Sequence, residues 1–255
     1  MVIKLGGSLL EDDRSLATVA ATLAGRCRAG ARRILVHGGG KRIDAALAAR
    51  GIPRRIHEGL RITDRETLAI VVSALGDINS GLVRELARHG VIAAGLCGPD
   101  GRALRADFHP PIRGVDLGFV GRISSVDLRM IEAAVAAGHL PVLASIAAGP
   151  DGVPLNVNAD EAAAAVAAAL GCRRLLFLTD VEGIADERGR VVASLDPSTA
   201  RRLLSGSAVS GGMRPKLRAC LAAVGAGVRE VVIAGPGRQE AALAGGAGGT
   251  SLVAA

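Results

Sequence analysis

Lysine is rare in this chain, and two of its three lysines stand beside glycine pairs. The 255 residues include 31 lysines and arginines, of which Lys4, Lys41 and Lys216 are the lysines. Where arginine supplies nearly all positive charge, a retained lysine indicates a need for a compact ammonium group. Lys4 lies in an apolar run just before Gly6–Gly7, and Lys216 follows Gly211–Gly212. Lys41 follows three glycines and is predicted to lie at the surface.

The chemistry that suits two such lysines is phosphoryl transfer. An unpaired ammonium is costly to bury, so Lys4 inside a strand requires an anionic partner. Two ammonium groups beside a transferring phosphoryl group would neutralise charge on the attacking and leaving sides, which is the main electrostatic task in that reaction. Taken singly, Lys4 also fits a salt bridge with a neighbouring acid, and Lys216 fits an exposed helix charge.

Glycine clusters follow the apolar runs at three places, Gly6–Gly7, Gly38–Gly40 and Gly211–Gly212. Glycine lets backbone N–H groups approach phosphate oxygens, and a following helix N-terminus adds partial positive charge. The spacings match neither the dinucleotide-binding GxGxxG motif nor the Walker A motif. Turn geometry alone also explains each cluster.

The elements that must position these loops follow an alternating pattern. Short apolar, β-branched runs alternate with longer segments rich in Ala and Leu, which predicts an α/β fold. We expect one three-layer αβα sandwich with a mainly parallel central sheet and an internal seam near residues 171–174. The predicted strands cover residues 2–5, 34–37, 90–97, 140–146, 175–179, 190–195 and 231–234. The predicted helices cover 12–29, 40–50, 63–74, 126–137, 161–170, 197–204 and 213–225, with hairpins between 100 and 122.

Local signals suggest where some of these helices begin. Ser8 with Glu11, and Thr63 with Glu66, have the spacing of capping boxes. Asp160 stands at the start of the alanine-rich segment 161–170, where an aspartate fits an N-cap.

Composition excludes several classes of protein. The net charge is +7, but the arginines are scattered, and three Phe with no Tyr or Trp disfavour a nucleic-acid binder that stacks bases on aromatic rings. Neither a signal peptide nor a run of about 18 apolar residues is apparent, which predicts a soluble, cytoplasmic protein without a membrane partner. The four cysteines are far apart, which argues against a zinc site or a disulfide framework: Cys27, Cys97, Cys172 and Cys220.

Seven motifs, in this order, resemble those of the amino-acid kinase family. They are Lys4–Ser8 (KLGGS), Val36–Gly40 (VHGGG), Gly59–Asp64 (GLRITD), Asp116–Gly121 (DLGFVG), Asn156–Asp160 (NVNAD), Leu178–Gly183 (LTDVEG) and Gly211–Lys216 (GGMRPK). The similarity extends from residue 2 to residue 250. It implies one amino-acid kinase domain over 1–255, with an N-lobe at about 1–172 for the amino-acid substrate and dimerisation and a C-lobe at about 173–255 for ATP.

The activity that the resemblance implies is ATP-dependent phosphorylation of the γ-carboxylate of N-acetyl-L-glutamate to an acyl phosphate, in arginine biosynthesis. Mg²⁺ would accompany ATP and be held mainly by the phosphates, so no protein metal site is expected. A homodimer is expected, and the early start of the first strand suggests that arginine does not inhibit it. One alternative is a kinase for α-aminoadipate or glutamate blocked by a carrier protein, in lysine or arginine biosynthesis. Another is a non-catalytic amino-acid or nucleotide sensor.

The resemblance also implies roles for individual residues. The catalytic residues would be Lys4, Lys216 and Asp160, the aspartate holding the two lysines. The substrate-binding residues would be Gly39, Gly40, Arg61, Asn156 and Asn158. The phosphate-binding residues would be Gly6, Gly7 and Gly39. The ATP-binding residues would be Thr179, Asp180, Val181, Glu182, Gly183, Ile184, Ala208, Val209, Ser210, Gly211 and Gly212.

Overall fold

The structure is a computed structural model that describes residues 1–27, 32–98, 103–186, 188–206, 209, 211–246 and 248–253, without the side chain of residue 27. The strands are β1 (Val2–Leu5), β2 (Ile34–His37), β3 (Ile56–His57), β4 (Leu60–Arg61), β5 (Ala93–Leu96), β6 (Leu104–Phe108), β7 (Val120–Val126), β8 (Leu140–Ala144), β9 (Ile146–Ala148), β10 (Pro154–Val157), β11 (Arg174–Leu178), β12 (Ser194–Leu195), β13 (Glu230–Ala234) and β14 (Thr250–Val253). The helices are α1 (Asp13–Cys27), α2 (Gly40–Ala48), α3 (Arg65–Arg88), α4 (Arg129–Ala136), α5 (Ala159–Ala169), α6 (Pro197–Ser205), α7 (Met213–Gly225) and α8 (Gln239–Leu243).

Eight strands form the central sheet, in the order β12-β14-β13-β11-β1-β2-β8-β5. Among the described residues every neighbouring pair is parallel except β13 and β14. The predicted α/β class with a mainly parallel sheet is confirmed. Since β11, β1 and β2 are adjacent and parallel, the loops after these three strands leave the sheet at the same edge.

Both faces of the sheet are covered, which explains why its strands are apolar at nearly every position. In β1, Val2 belongs to the core on the α5 and α7 face, while Ile3 and Leu5 belong to the core on the α1 and α3 face. Side chains alternate along a strand, so Lys4 points to the same face as Val2. Lys4 is 7% exposed and is therefore a buried cation in a β-strand.

Four further strands form a small closed sheet in the order β10-β7-β6-β9. The antiparallel pair β6 and β7 confirms that residues 100–122 contribute to a hairpin, although β7 extends to Val126. The predicted strand 140–146 is in fact divided at Ser145, because β8 pairs in the central sheet and β9 pairs with β10. These pairings join distant parts of the chain, and no local pattern indicates them.

Helix α3 differs from its prediction at both ends. Its N-cap is Asp64, whose carboxylate accepts a hydrogen bond from the Thr67 N–H at 2.9 Å, so the predicted Thr63–Glu66 capping box is wrong. The helix continues beyond Ala74 to Arg88 because its apolar residues stay buried along its length. Tertiary packing therefore outweighs the low helix propensity of the Gly and Asn residues in the middle of this helix.

Two other predicted caps are also wrong. Residues 7–10 form a 3₁₀ turn, and α1 starts at Asp13 after Asp12 accepts the Ser15 N–H at 2.7 Å; Ser8 and Glu11 therefore form no capping box. Helix α5 is capped by Asn158, whose side-chain oxygen accepts the N–H groups of residues 160 and 161 at 2.8 and 3.2 Å. Asp160 lies inside the first turn and is not the N-cap.

In the described part of the chain, α3 is long and apolar enough to cross a membrane by length and composition. The sequence-based prediction that the chain contains no such run is therefore wrong for α3. More than half of its apolar window (56%) is buried inside the protein, which is typical of a core helix in a globular fold.

Candidate active site

A cleft of about 670 Å³ opens where the loops after β1, β2 and β11 meet. Its walls are Gly6–Ser8 after β1, Gly38–Gly40 after β2, and Thr179–Val181 after β11. The N-termini of α5 and α7 close it from the opposite side. Ligands in open α/β sheets bind at the carboxyl ends of the strands, where this cleft lies.

Two lysines share one aspartate at the floor of the cleft. The Lys4 ammonium lies 2.7 Å from Oδ1 of Asp160, and the Lys216 ammonium lies 3.2 Å from Oδ2. The side chains of all three are about 10% exposed or less. The Lys216 Nζ also lies 5.2 Å from the ring centroid of Phe177, which faces Lys4 across β1 and β11. The group therefore carries a net charge of +1 that faces the cleft.

The protonation states follow from this pairing. Burial raises the pKa of Asp160, but the ammonium groups of Lys4 and Lys216 outweigh burial and lower the pKa to about 2. Burial lowers the pKa of Lys4, and the neighbouring Lys216 adds to that effect while Asp160 opposes it. An anionic ligand in the cleft would stabilise both ammonium groups.

The glycine loops leave no room for side chains where they meet. A Cβ on Gly7 would come within 3.2 Å of the Gly40 nitrogen, and a Cβ on Gly39 would collide with Ile78. Gly6 donates its N–H to the carbonyl of Leu178 at 2.8 Å, so the loop stays against β11. The close packing brings the backbone of two loops to one wall of the cleft, as anion binding by N–H groups requires.

Arg61 lies on another wall and has donors to spare. Its side chain is 9% exposed, and its Nη2 pairs with Asp44, which also lies 3.3 Å from Nε of Arg54. The buried Nη1 of Arg61 has no hydrogen-bond partner among the described residues. Close by, Asn156 donates to the hydroxyl of Thr63 at 3.1 Å. An unsatisfied buried guanidinium nitrogen at a cleft indicates a place for an anion.

His37 is a buried histidine at the end of β2. Asn79 donates to its Nε2 at 3.0 Å, so Nδ1 carries the proton and faces the Gly38 carbonyl at 3.3 Å. Burial lowers the pKa of His37 to about 4, so the ring is neutral at neutral pH. His37 therefore connects the core to the first glycine of the Gly38–Gly40 loop.

The wall nearest β11 carries further charges. Lys41 Nζ lies 2.6 Å from Glu11 Oε2, and this hydrogen bond raises the pKa of Lys41. Asp180 has a lowered pKa: burial opposes the shift, but hydrogen bonds from its own backbone, Ser8 and Thr179 and the charge of Lys41 outweigh it. The predicted surface position of Lys41 is confirmed, since its side chain is about half exposed (52%), and the residue also lines the cleft.

Most of the predicted site residues line this one cleft. They are Lys4, Gly6, Gly7, Gly39, Gly40, Arg61, Asn156, Asn158, Asp160, Thr179, Asp180, Val181, Gly212 and Lys216. Asn158 is there as a helix cap, which uses its side-chain oxygen and leaves its amide nitrogen for other contacts.

Other predicted ATP-binding residues are not brought to the cleft wall. They are Glu182, Gly183, Ile184, Val209 and Gly211. Ile184 is fully buried and donates its N–H to the Thr250 hydroxyl at 2.8 Å, and Val209 is 3% exposed. The predictions for Ala208 and Ser210 lie outside the described residues.

Several residues of the cleft were not predicted from the sequence. Asp44 follows Gly40 by four positions on α2, which places the two on one face of the helix. Ser145 follows the end of β8, the strand beside β2, and strand ends were the signal that could have found it. Arg54 carried no distinguishing signal among 28 arginines.

The described residues contain no group of three or more His, Cys, Asp or Glu side chains arranged to hold a metal ion. In the cleft, Asp160 is paired with two lysines and Asp44 with two arginines. Asp180 has no lysine or arginine within salt-bridge distance in the described structure, so it is the carboxylate available to an incoming cation.

The chain belongs to the amino acid kinase family, whose profile matches residues 1–235. Within that family it is similar to acetylglutamate kinases. It is 40% identical over 243 residues to the acetylglutamate kinase of Rhizobium rhizogenes, an alignment that covers 91% of this chain and 82% of that protein. The acetylglutamate kinase of Agrobacterium fabrum is also 40% identical, with 91% and 83% covered.

Solved structures give the same assignment of the fold. An N-acetylglutamate synthase from Neisseria gonorrhoeae, complexed with coenzyme A and N-acetyl-glutamate, superposes with a TM-score of 0.85 at 25% identity. The match covers 99% of this chain and 58% of the synthase, so this chain spans little more than half of that protein. Carbamate kinase from Giardia lamblia bound to AMP-PNP has a TM-score of 0.73 at 16% identity and covers 100% and 98% of the two chains, a likeness of fold alone.

Proposed function

We propose that this chain is a kinase that transfers the γ-phosphoryl group of ATP to the γ-carboxylate of N-acetyl-L-glutamate, a reaction of arginine biosynthesis. The observation that carries the proposal is the Lys4–Asp160–Lys216 group, buried at the floor of a cleft walled by glycine loops. The 40% identity to acetylglutamate kinases supports the choice of substrate.

The reaction needs charge stabilisation and no general base. A glutamate-type carboxyl group has a pKa of about 4.3, so the nucleophile is already a carboxylate at neutral pH. One carboxylate oxygen forms a bond to the γ-phosphorus while the bond from that phosphorus to the ADP oxygen breaks. The products are the acyl phosphate and ADP, and no proton moves. A site built from two ammonium groups suits this step.

In this proposal Lys4 and Lys216 contact oxygens of the transferring phosphoryl group, one from the side of the attacking carboxylate and one from the side of ADP. Asp160 holds both lysines and stays ionised at all pH values where the protein works, because its pKa is lowered to about 2. The backbone N–H groups of Gly7 and Gly39 add hydrogen bonds to phosphate oxygens, whereas the Gly6 N–H is already donated to the Leu178 carbonyl and Gly6 only shapes the loop.

The amino-acid substrate lies against Arg61 and Asn156. The free Nη1 of Arg61 gives a charge-assisted hydrogen bond to the substrate α-carboxylate, and Asp44 holds the guanidinium in place through Nη2. Asn156, together with the amide nitrogen of Asn158 and the backbone of Gly39–Gly40, contacts the remaining polar groups of the substrate.

ATP lies against Thr179, Asp180, Val181 and Gly212, which line the cleft beside the lysines. A bound Mg²⁺ would supply neutralisation of charge on the β- and γ-phosphates. Asp180 is the side chain suited to contact its water shell, since the cleft offers no cage of protein ligands.

The division into an N-lobe at 1–172 and a C-lobe at 173–255 remains our proposal, as do the homodimer and the cytoplasmic location. The order of the sheet supports the lobes. Strands β12, β14, β13 and β11 occupy one half and β1, β2, β8 and β5 the other, and the cleft opens at the β11–β1 boundary.

An ATP-dependent hydroxamate assay tests the function. Hydroxylamine traps the acyl phosphate, and N-acetylglutamate is compared with N-acetylaminoadipate, N-succinylglutamate and free glutamate. We expect kcat/KM for N-acetylglutamate to exceed the others by about tenfold or more. Lys216→Met should lower kcat about 1000-fold.

Arg218→Met is the matched control, because it removes the same charge from an exposed position two residues further along α7. It should stay within about twofold of the unmodified protein. Faster product formation from another substrate, or no product from any small substrate while ATP still binds, would overturn the proposal. The second result would favour a carrier-protein substrate or a sensor.

A further inference from the structure

Lys41 is the lysine that the transfer chemistry proposed above does not use. It is the second residue of α2 and lines the same cleft as Lys4 and Lys216. Of 31 basic residues in the chain, 28 are arginines, yet all three lysines face this one cleft. Arginine supplies the rest of the positive charge of this protein, whereas the lysine ammonium groups all lie around one cleft.

The N-terminus of α2 is an unfavourable place for a cation. The helix starts after Gly39 without a side-chain cap, and its first turn contains no acid but both Lys41 and Arg42. Helix dipoles repel positive charge at this end, so the two cations cost stability unless an anion compensates. Arg42 is held outside the cleft by Asp13 and the Leu10 carbonyl, at 2.9 and 2.7 Å.

Lys41 has only a weakly held partner. The side chains of Lys41 and Glu11 are 52% and 49% exposed, and an ion pair this open to water adds little to stability. Asp180 lines the same cleft as Lys41 and Lys4, and its charge acts on both ammonium groups. Lys41 is thus close to the cleft wall proposed for the nucleotide.

We propose that Lys41 is a phosphate-binding residue that exchanges Glu11 for the phosphate chain of the bound nucleotide. The geometry favours the part of the cleft lined by Gly7, which packs against the Gly40 nitrogen, and by Asp180, whose charge acts on Lys41. Glu11 then acts as a competing partner that holds the ammonium while the cleft is empty. The identity of the ligand as a nucleotide rests on the proposed function.

Equilibrium binding of ATP, ADP and adenosine tests this inference. Lys41→Met should weaken ATP and ADP binding about tenfold, the value of one charge-assisted hydrogen bond, and leave adenosine unchanged. In steady-state assays KM for ATP should rise while kcat falls about threefold or less, because Lys4 and Lys216 still hold the transferring group.

Glu11→Gln should change affinity in the opposite direction. With no ion pair to break, ATP should bind about threefold more tightly. In the Lys41→Met background, Glu11→Gln should have no such effect, because the competition that it relieves no longer exists. A purely structural Lys41–Glu11 pair predicts instead that both single variants behave alike.

Two controls separate specific contacts from general charge. Arg50→Met removes a positive charge from just beyond the far end of α2, and Glu66→Gln removes an exposed acid from the first turn of α3. Both should leave ATP affinity within about twofold. Unchanged ATP binding in Lys41→Met, equal losses of ATP and adenosine, or weaker ATP binding in Glu11→Gln would overturn the inference.

The two proposals fail in different ways. A protein that binds ATP but makes no acyl phosphate overturns the proposed function, and the Lys41→Met binding ratio still decides the inference. A protein that binds no ATP overturns both.

Discussion

Two groups of helices in this protein begin in contrasting ways, while α4 and α8 lack a side-chain cap but carry an acid in the first turn. Helices α3, α5 and α6 follow the N-caps Asp64, Asn158 and Asp196, and each cap accepts hydrogen bonds from backbone N–H groups of the first turn. Helices α2 and α7 start after Gly39 and Gly212, with no side-chain cap and no acid in the first turn. Both of these glycines line the cleft.

The missing caps show that α2 and α7 lack, at the cleft, the stability that a side-chain cap contributes. A capped helix satisfies its first donors by itself, which contributes about 1 kcal/mol relative to alanine. An uncapped helix leaves those donors to water or to a ligand. At α2 and α7 the free donors and nearby lysines make two positive walls that an anion can complete.

Helix α5 has a side-chain cap, like α3 and α6, and also lies at the cleft, like α2 and α7. It is capped by Asn158 and also opens on the cleft, and its first turn presents Asp160 to the lysines. A carboxylate at a helix N-terminus is favourable, whereas an ammonium there is not. The first turn of α7 contains no acid that could pair with Lys216. Asp160 therefore provides the negative charge from the capped helix α5.

The largest expected effect comes from removing that charge. Asp160→Asn leaves two buried ammonium groups facing each other, so we expect kcat in the hydroxamate assay to fall about 1000-fold, or about 4 kcal/mol. The neighbouring Glu161→Gln, in the same turn of α5, should change kcat about twofold at most. Comparable activity in the two variants would show that the acid is not needed between the lysines.

The next effect concerns the wall beside α2. In Arg61→Lys a single ammonium replaces a guanidinium that binds Asp44 and still offers a free Nη1. We expect KM for N-acetylglutamate to rise about 30-fold, or about 2 kcal/mol, with little change in kcat. A drop in kcat at constant KM, measured by initial rates, would contradict the role given to Arg61.

A third test uses pH to examine how the loop before α2 is held. The folded pKa of His37 is lowered to about 4 from 6.5, so its stabilising contribution is complete above pH 6.5 and is lost as pH falls towards 4. Between pH 7 and pH 5 the free energy of unfolding should fall by about 2 kcal/mol from this group. In His37→Gln, urea titrations should show that this part of the pH dependence has disappeared. An identical slope in both proteins would refute the assignment.

The smallest effect is expected at a capped helix. Asp64→Ala should lower the free energy of unfolding by about 1 kcal/mol, because the Thr67 N–H loses its acceptor. Activity at saturating substrate should stay within about twofold, since Asp64 does not line the cleft. Thermal unfolding and kcat are measured on the same preparation. Lost activity with unchanged stability in Asp64→Ala would contradict the distinction between the capped helices and the uncapped helices at the cleft.

The sequence predicted some elements to within a residue. Strands β1 and β2 and helix α7 match their predicted bounds, because a strand covered on both faces is continuously apolar and is ended by glycine. The length of α3 was underestimated, because the prediction ended at Ala74 whereas buried apolar residues continue the helix to Arg88. In the fold Asn79 is buried and bonds His37 and the Val142 carbonyl, partners that no local pattern identifies.

Some cleft residues could be predicted because their type and their position in the chain were enough to identify them. Lysines beside glycines pointed to Lys4 and Lys216, and the family motifs added Asp160 and Arg61. Asp44 shares a helix face with Gly40, and Ser145 follows the end of β8, but neither was predicted, because only the fold shows that these side chains reach the cleft. The small sheet of β6, β7, β9 and β10 escaped prediction for a related reason, as it joins strands distant in sequence.

The scarcity of lysine also makes the protein easy to label selectively. Two of its three ε-amino groups are buried at 7% exposure, while the Lys41 side chain is 52% exposed. An amine-reactive fluorophore would therefore find Lys41 and the N-terminal amine, and no other exposed amine in the chain. A dye on Lys41 would stand at the mouth of the cleft, and bound nucleotide should slow its attachment, because the proposed phosphate contact occupies the same ammonium group.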